Sequence, residues 1–163
     1  MTVRNMKPSD WENVSRIYSE GIATGIATFE TLTPDYDQWD KAHTEHCRLI
    51  AEQDGEVMGW AALSPVSSRC VYGGVGEVSV YISNKSRGKG IGKLLMEQLI
   101  RESEEAGYWT IQSGIFPENT ASIKLHEKMG FRYIGKRERV GKIHGVWKDN
   151  LLFEKRSDKV GMD

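Results

Sequence analysis

A glycine-rich basic segment in the middle of the chain constrains the fold more than any other feature. It reads Arg87-Gly88-Lys89-Gly90-Ile91-Gly92-Lys93, and it separates the strand-like run 77–82 from a run with helical spacing that ends near Gly107. Glycines at such a junction let backbone N–H groups approach an anion, and a helix N-terminus adds positive potential. The segment therefore predicts a strand–loop–helix unit that holds a phosphate or pyrophosphate.

The glycine spacing excludes two other phosphate-binding loops. A P-loop needs G-x-x-x-x-G-K-S/T, but Lys93 is followed by Leu94. The dinucleotide fingerprint G-x-G-x-x-G also fails, because the glycines stand at 88, 90 and 92. A glycine-rich turn that only caps a helix is the remaining alternative. Three glycines together with three cations favour the anion site.

Strand and helix patterns alternate along the rest of the chain. Apolar residues at helical spacing predict helices that begin near Trp11, Pro34 and Asn119. Strand patterns flank an Asp54-Gly55 hairpin signal at 49–52 and 57–63, and they recur at 1–6, 108–115, 131–134 and 146–153. We expect one α+β domain, residues 1–155, with a mixed, largely antiparallel central sheet flanked by helices. The charged tail, 156–163, is expected to fray from Lys155 onwards.

Composition and charge exclude several classes of protein. The 163 residues suit one domain, and 22 Lys and Arg against 23 Asp and Glu give a net charge of −1, which disfavours nucleic-acid binding through bulk charge. No apolar stretch approaches the ~18 residues of a membrane helix, and the N-terminus lacks the apolar run of a signal peptide. Two cysteines favour a reducing compartment. We expect a cytoplasmic enzyme without nucleic-acid or membrane partners.

A metal site is not expected. His43-x-x-His46-Cys47 resembles a ligand cluster, but a structural zinc site needs a fourth ligand, and Cys70 is distant in sequence. A solvated helix face is the better interpretation. Cys47 and Cys70 are expected to act as small apolar residues.

Two motifs downstream of the strand resemble one known superfamily. Arg87-x-x-Gly90-x-Gly92 after a Val-Tyr-Ile strand resembles the acetyl-CoA-binding motif of the GNAT superfamily of N-acetyltransferases. Asn119-x-x-Ser122-x-x-x-His126-x-x-x-Gly130-Phe131 is similar to that superfamily's cofactor-contacting helix and the strand after it. The resemblance implies the GNAT fold and acetyl-CoA as co-substrate.

One departure from the superfamily points to a particular branch. Most members have Tyr at the position of His126. The histidine instead resembles the phosphinothricin and methionine sulfoximine N-acetyltransferases. Three further segments resemble the same branch: Glu77-Val-Ser-Val-Tyr81, Thr28-Phe29-Glu30-Thr31 and Gly141-Lys-x-His144-Gly145-x-Trp147-x-Asp149. The resemblance implies acetylation of a small amino-acid analogue, a detoxifying role such as herbicide resistance, and a homodimer.

The resemblance also implies catalytic roles. Glu77 would remove a proton from the amine, directly or through water, and an amide near Val80 would polarise the thioester carbonyl. His126 would stabilise or protonate the leaving sulfur, and Tyr81 is a further catalytic candidate. Each role has a structural alternative. Glu77 could be an ordinary exposed glutamate at a strand end, and the strand that contains Val80 could have all of its amides paired. His126 could be a core histidine bonded to a backbone carbonyl.

The binding residues follow from the same resemblance. Asn119 can contact the cofactor, cap its own helix, or do both. The residues expected to bind acetyl-CoA are Val80, Tyr81, Ile82, Arg87, Gly88, Lys89, Gly90, Ile91, Gly92, Lys93, Asn119 and Ser122. Those expected to bind the amine substrate are Phe29, Glu30, Arg69, Tyr72, Val78, Ser79, Lys142 and His144. Trp147 is interpreted as a packing residue.

Two other functions remain open. The enzyme could acetylate another amine, such as a protein N-terminus, a polyamine or a xenobiotic, but Arg69 and Lys142 suit a small anionic substrate. A non-catalytic acetyl-CoA sensor is the third hypothesis, and the presence of Glu77 counts against it.

Overall fold

The computed structural model describes residues 1–163 and contains seven strands and four α-helices. The strands are β1 (Thr2–Asn5), β2 (Leu49–Gln53), β3 (Glu56–Pro65), β4 (Val75–Ile82), β5 (Thr110–Ile115), β6 (Arg132–Ile143) and β7 (Val146–Arg156). The helices are α1 (Trp11–Ala23), α2 (Tyr36–Ala42), α3 (Ile91–Glu105) and α4 (Thr120–Lys128).

All seven strands form a single sheet, in the order β1-β2-β3-β4-β5-β7-β6. Every neighbouring pair is antiparallel except β4 and β5, which run parallel. The predicted α+β fold with a mixed, largely antiparallel sheet is therefore confirmed.

The two faces of the sheet carry separate cores. Leu95 and Leu99 of α3 pack with Phe153 on one face, and Ile17 of α1 packs with Trp39 and Trp60 on the other. Side chains alternate between the faces along a strand. Because Val78, Val80 and Ile82 of β4 belong to the α3 core, the intervening Glu77, Ser79 and Tyr81 lie on the α1 face.

The central strands separate part-way along their length. β4 and β5 pair at only three positions, Val75↔Thr110, Gly76↔Ile111 and Glu77↔Gln112. β4 nevertheless continues to Ile82, where it is paired with β3 alone. The pairing fails beyond Glu77, so a gap opens between the two strands at the centre of the sheet.

Two segments at the C-terminal end differ from the sequence-based expectation. β6 extends to Ile143, far beyond the predicted 131–134, and pairs with β7 across two register shifts. The chain beyond Lys155 does not fray, because Ser157 is buried and its hydroxyl donates to Glu104 at 2.9 Å. The Arg156 guanidinium also donates to the carbonyls of Val160 and Gly161.

Candidate active site

A cavity of about 1230 Å³ occupies the gap between β4 and β5. Its wall combines the glycine-rich segment 87–93 without Lys89, parts of α4, the irregular segment that contains Phe29, and the distal half of β6. The cavity therefore brings together segments from both halves of the chain.

The glycine-rich segment presents an uninterrupted row of free amides. None of the seven backbone N–H groups from Arg87 to Lys93 donates to an acceptor within the protein. Gly88 and Gly90 have φ angles of +76° and +77°, which residues with a Cβ rarely adopt. Such a nest of amides at the start of α3 fits a phosphate or pyrophosphate group.

The remaining glycine of the motif allows two helices to approach each other. A Cβ on Gly92 would lie 3.1 Å from Cδ2 of Leu125 in α4. Because Gly92 has no Cβ, the start of α3 can lie close to α4. Both helices can then contact the same ligand.

β4 offers a second set of backbone groups in the gap. The Ser83 amide donates to the Met58 carbonyl at 2.9 Å, which fixes the hydrogen-bonding register of β3 and β4. Alternate residues of an antiparallel pair direct their amides to opposite sides. Val80 and Ile82 therefore direct theirs towards β5, where no strand pairs with them, and these groups can bind an extended amide-containing arm.

Asn119 caps α4, where its side-chain oxygen accepts from the Ser122 amide at 3.2 Å. One turn later, His126 is only 3% exposed, and its Nδ1 donates to the Ser122 carbonyl at 2.7 Å. Burial lowers the pKa of His126, so the ring is neutral near pH 7. Since Nδ1 carries the proton, the buried Nε2, which has no partner, is an acceptor.

Glu77 supplies a carboxylate on the α1 face of the sheet, within the cavity wall. The side chain is accessible to solvent through the cavity, while the surrounding walls displace much of its hydration. This desolvation raises the pKa of the carboxyl, and the positive charge of Arg137 partly opposes the rise. A carboxylate with a raised pKa is a stronger base than an ordinary surface glutamate.

Tyr81 is held by aromatic contacts. Its ring stacks on Tyr18 and on Trp60, with 4.9 Å between centroids in each pair. A Cβ on Gly21 would lie 2.6 Å from the same ring, so this glycine makes room for it. Burial raises the pKa of the phenol, which therefore keeps its proton.

The predicted substrate residues are only partly brought together. Phe29, Glu30, Val78, Ser79 and Lys142 line the cavity. The Phe29 ring packs edge-on against Phe116 at 4.7 Å, and the Lys142 ammonium lies 4.6 Å from the Trp147 ring centroid.

Three other predicted residues lie outside the wall. Arg69 stacks over the ring of Tyr72 at 5.6 Å, and both side chains are exposed. His144 stands in the turn between β6 and β7. Their roles in binding remain predictions.

The structure adds residues that sequence reasoning missed. Arg137 and Val140 line the cavity because β6 is long enough to carry its distal half to the site, and Asn150 of β7 lines it opposite Arg137. Phe116, which follows β5, completes the aromatic wall around Phe29. No local motif marks these residues: those of β6 and β7 depend on how the two strands pair, and Phe116 depends on its contact with the distant Phe29.

A family model described as the Acetyltransferase (GNAT) family matches residues 11–131. The chain belongs to the GNAT family of acetyltransferases. A phosphinothricin N-acetyltransferase of Alcaligenes faecalis is 31% identical over 94% of this chain and 81% of its own length. An L-methionine sulfoximine/L-methionine sulfone acetyltransferase of Salmonella typhimurium is 29% identical over 98% of this chain and 96% of its own length.

A solved structure extends the comparison to the ligand. A GNAT superfamily phosphinothricin acetyltransferase from Sinorhizobium meliloti, crystallised in complex with acetyl-CoA, superposes with a TM-score of 0.86. It is 28% identical and covers 99% of this chain and 96% of that chain. The predicted acetyl-CoA-dependent N-acetyltransferase is thus confirmed, and the row of free amides fits the diphosphate of the coenzyme.

Two further findings concern metals and membranes. No group of three or more His, Cys, Asp or Glu side chains is placed to hold a metal ion. None of the helices combines the length and the apolar character needed to cross a bilayer.

Proposed function

We propose that this GNAT acetyltransferase acetylates the α-amine of a small amino-acid analogue of the methionine sulfoximine, methionine sulfone or phosphinothricin type. The observation that carries the proposal is one cavity that joins the free amides of residues 87–93 to the Glu77 carboxylate. The names of the two relatives support the same substrate class. Detoxification of such compounds would be the corresponding biological role.

In the proposed mechanism, Glu77 accepts a proton from the substrate ammonium, directly or through a water molecule. Bound acetyl-CoA supplies the thioester that the amine then attacks. The Val80 amide, free on the β5 side, donates a hydrogen bond to the carbonyl oxygen, on which negative charge collects as the C–N bond forms. The nitrogen, which carries a positive charge after the attack, loses its extra proton to water. The C–S bond breaks, and its electron pair remains on sulfur.

The sulfur then takes up a proton to become a thiol. His126 in its neutral form has no proton on Nε2, and that nitrogen is buried, so the residue cannot protonate the thiolate. We therefore propose that the proton reaches sulfur from water or from Glu77. Tyr81 contributes a fixed aromatic wall, since its backbone groups face β3.

Steady-state measurement of thiol release tests the substrate class. With acetyl-CoA present, we expect turnover of methionine sulfone and methionine sulfoximine at a kcat/KM at least 10-fold above that of spermidine or an alanine-initiated peptide. Equal or faster turnover of the peptide would favour a protein N-terminus instead. Binding of acetyl-CoA by calorimetry without turnover of any amine would identify a sensor.

We also propose a homodimer that uses the β6–β7 hairpin. Val146 and Trp147, which are adjacent beside the turn of this hairpin, are each more than half exposed and form apolar surface that a second copy of the chain would cover. Light scattering should give twice the 18.4 kDa chain mass, and Trp147→Lys should give the monomer. The two free cysteines suit a reducing compartment, which supports a cytoplasmic location.

A further inference from the structure

We propose that Arg137, assisted by Asn150, binds the α-carboxylate of the substrate and thereby selects amino acids over simple amines. This inference rests on the proposed function, because it names the group by which that substrate is recognised. The sequence alone instead favours Arg69 and Lys142 as the cations that suit an anionic substrate.

The strand register places the two residues side by side. Arg137 of β6 is directly opposite Asn150 of β7, and opposed residues of an antiparallel pair share one face of the sheet. Leu151 and Phe153 belong to the α3 core, so Asn150 lies on the other face, as Glu77 does. Both Arg137 and Asn150 line the cavity.

A glycine on the intervening strand opens the way towards Glu77. β5 lies between β4 and β7 in the sheet, and a Cβ on Gly114 would lie only 2.6 Å from Oδ1 of Asn150. The missing side chain leaves space for the Asn150 amide over β5. Polar donors therefore extend from β6 in the direction of the catalytic carboxylate.

The side chains of Arg137 and Asn150 have no polar partner within the protein. Arg137 and Asn150 make no side-chain hydrogen bond, and Arg137 forms no ion pair. Lys142, the other β6 cation in the wall, lies over the Trp147 ring. The remaining cations of the wall belong to the glycine-rich segment, α3 and α4: Arg87, Lys93, Lys124 and Lys128.

The charges match the dipole of an amino acid. An α-amino acid carries an ammonium and a carboxylate on one carbon atom, so its site needs an acid and a cation close together. Arg137 is near enough to Glu77 to oppose the effect of burial on that carboxyl. A guanidinium also binds a carboxylate through two parallel hydrogen bonds, which fixes the orientation of the substrate.

The test compares methionine sulfone with its carboxamide, which keeps the amine but has no anionic group. Arg137→Gln should lower kcat/KM for methionine sulfone by about 10- to 100-fold, the range for hydrogen bonds to charged groups, mainly through KM. The carboxamide should lose less than about 3-fold. Arg137→Lys should fall between wild type and Arg137→Gln, because it keeps the charge but not the paired geometry.

Arg139→Gln is the matched control. Arg139 is an exposed arginine on the same strand, outside the cavity wall, and its loss should leave both substrates unaffected. Equal losses for acid and carboxamide in Arg137→Gln, or no loss for either, would overturn the proposal. If wild-type enzyme turned over neither compound, the proposed function would fail instead.

Discussion

Replacement of Glu77 by glutamine removes the proposed base while keeping the size of the side chain. A positioned general base typically contributes about 100- to 10,000-fold to the rate, or about 3–5 kcal/mol of activation free energy. Burial raises the pKa of Glu77, so its carboxylate binds a proton more readily at pH 7 than a free carboxylate does. We therefore expect kcat/KM at pH 7 to fall by at least about 100-fold in Glu77→Gln.

The loss should depend on pH in a defined direction. As the proposed base, Glu77 must be deprotonated, so wild-type activity should fall as the pH drops through its raised pKa. Glu77→Gln can use only substrate whose amine has already lost its proton. Its activity should rise with pH up to the amine pKa, and the ratio of wild type to variant should shrink over the same range.

Stability measurements separate loss of the base from loss of the fold. A carboxyl whose pKa is higher in the folded state stabilises the protein at low pH, and this contribution is lost as the pH rises through the folded-state pKa. At pH 7, Glu77→Gln should therefore melt at the same temperature as wild type or higher. Glu118→Gln, an exposed glutamate outside the cavity, is the activity control. A ratio that stays constant with pH, or full activity in Glu77→Gln, would refute the assignment of the base.

Three other substitutions or measurements check further features of the site and of the fold. Gly90→Ala places a Cβ on a residue with φ of +77°; it should cost about 1–2 kcal/mol of stability and weaken acetyl-CoA binding in calorimetry, and unchanged affinity would contradict the role of the free amides. Gly74→Ala places a Cβ 2.1 Å from the Trp109 ring; denaturant unfolding should show a loss of about 1–3 kcal/mol, and an unaltered midpoint would contradict this packing. His126 should titrate below its usual pKa with the proton on Nδ1, and an NMR spectrum of an imidazolium at pH 7 would disprove its neutral state.

The local parts of the site were predictable from sequence because their chemistry is local. Gly88 and Gly90 are required by their own backbone angles, so the free amides beside them could be inferred from residue types and spacing. Glu77 and Val80 were predictable in the same way, since a strand pattern assigns them to β4. The family resemblance then supplied the roles of these residues.

The far wall of the cavity could not be predicted, because it depends on the pairing of β6 with β7. Register shifts interrupt that pairing between Tyr133 and Gly135 and again between Arg137 and Gly141. They break the alternation of polar and apolar residues on which strand prediction relies. Arg137 was missed for that reason, and Asn150, although it lies within the predicted strand 146–153, was missed because its position opposite Arg137 depends on the same pairing.

Binding of acetyl-CoA to the seven free amides of residues 87–93 would also link the stability of the enzyme to its supply of coenzyme. A ligand that binds only the folded chain at 100 times its dissociation constant adds about 2.7 kcal/mol to the free energy of unfolding. When acetyl-CoA is scarce, a larger fraction of molecules would then unfold and become available to proteases. Starvation would then reduce the amount of enzyme as well as its rate of turnover.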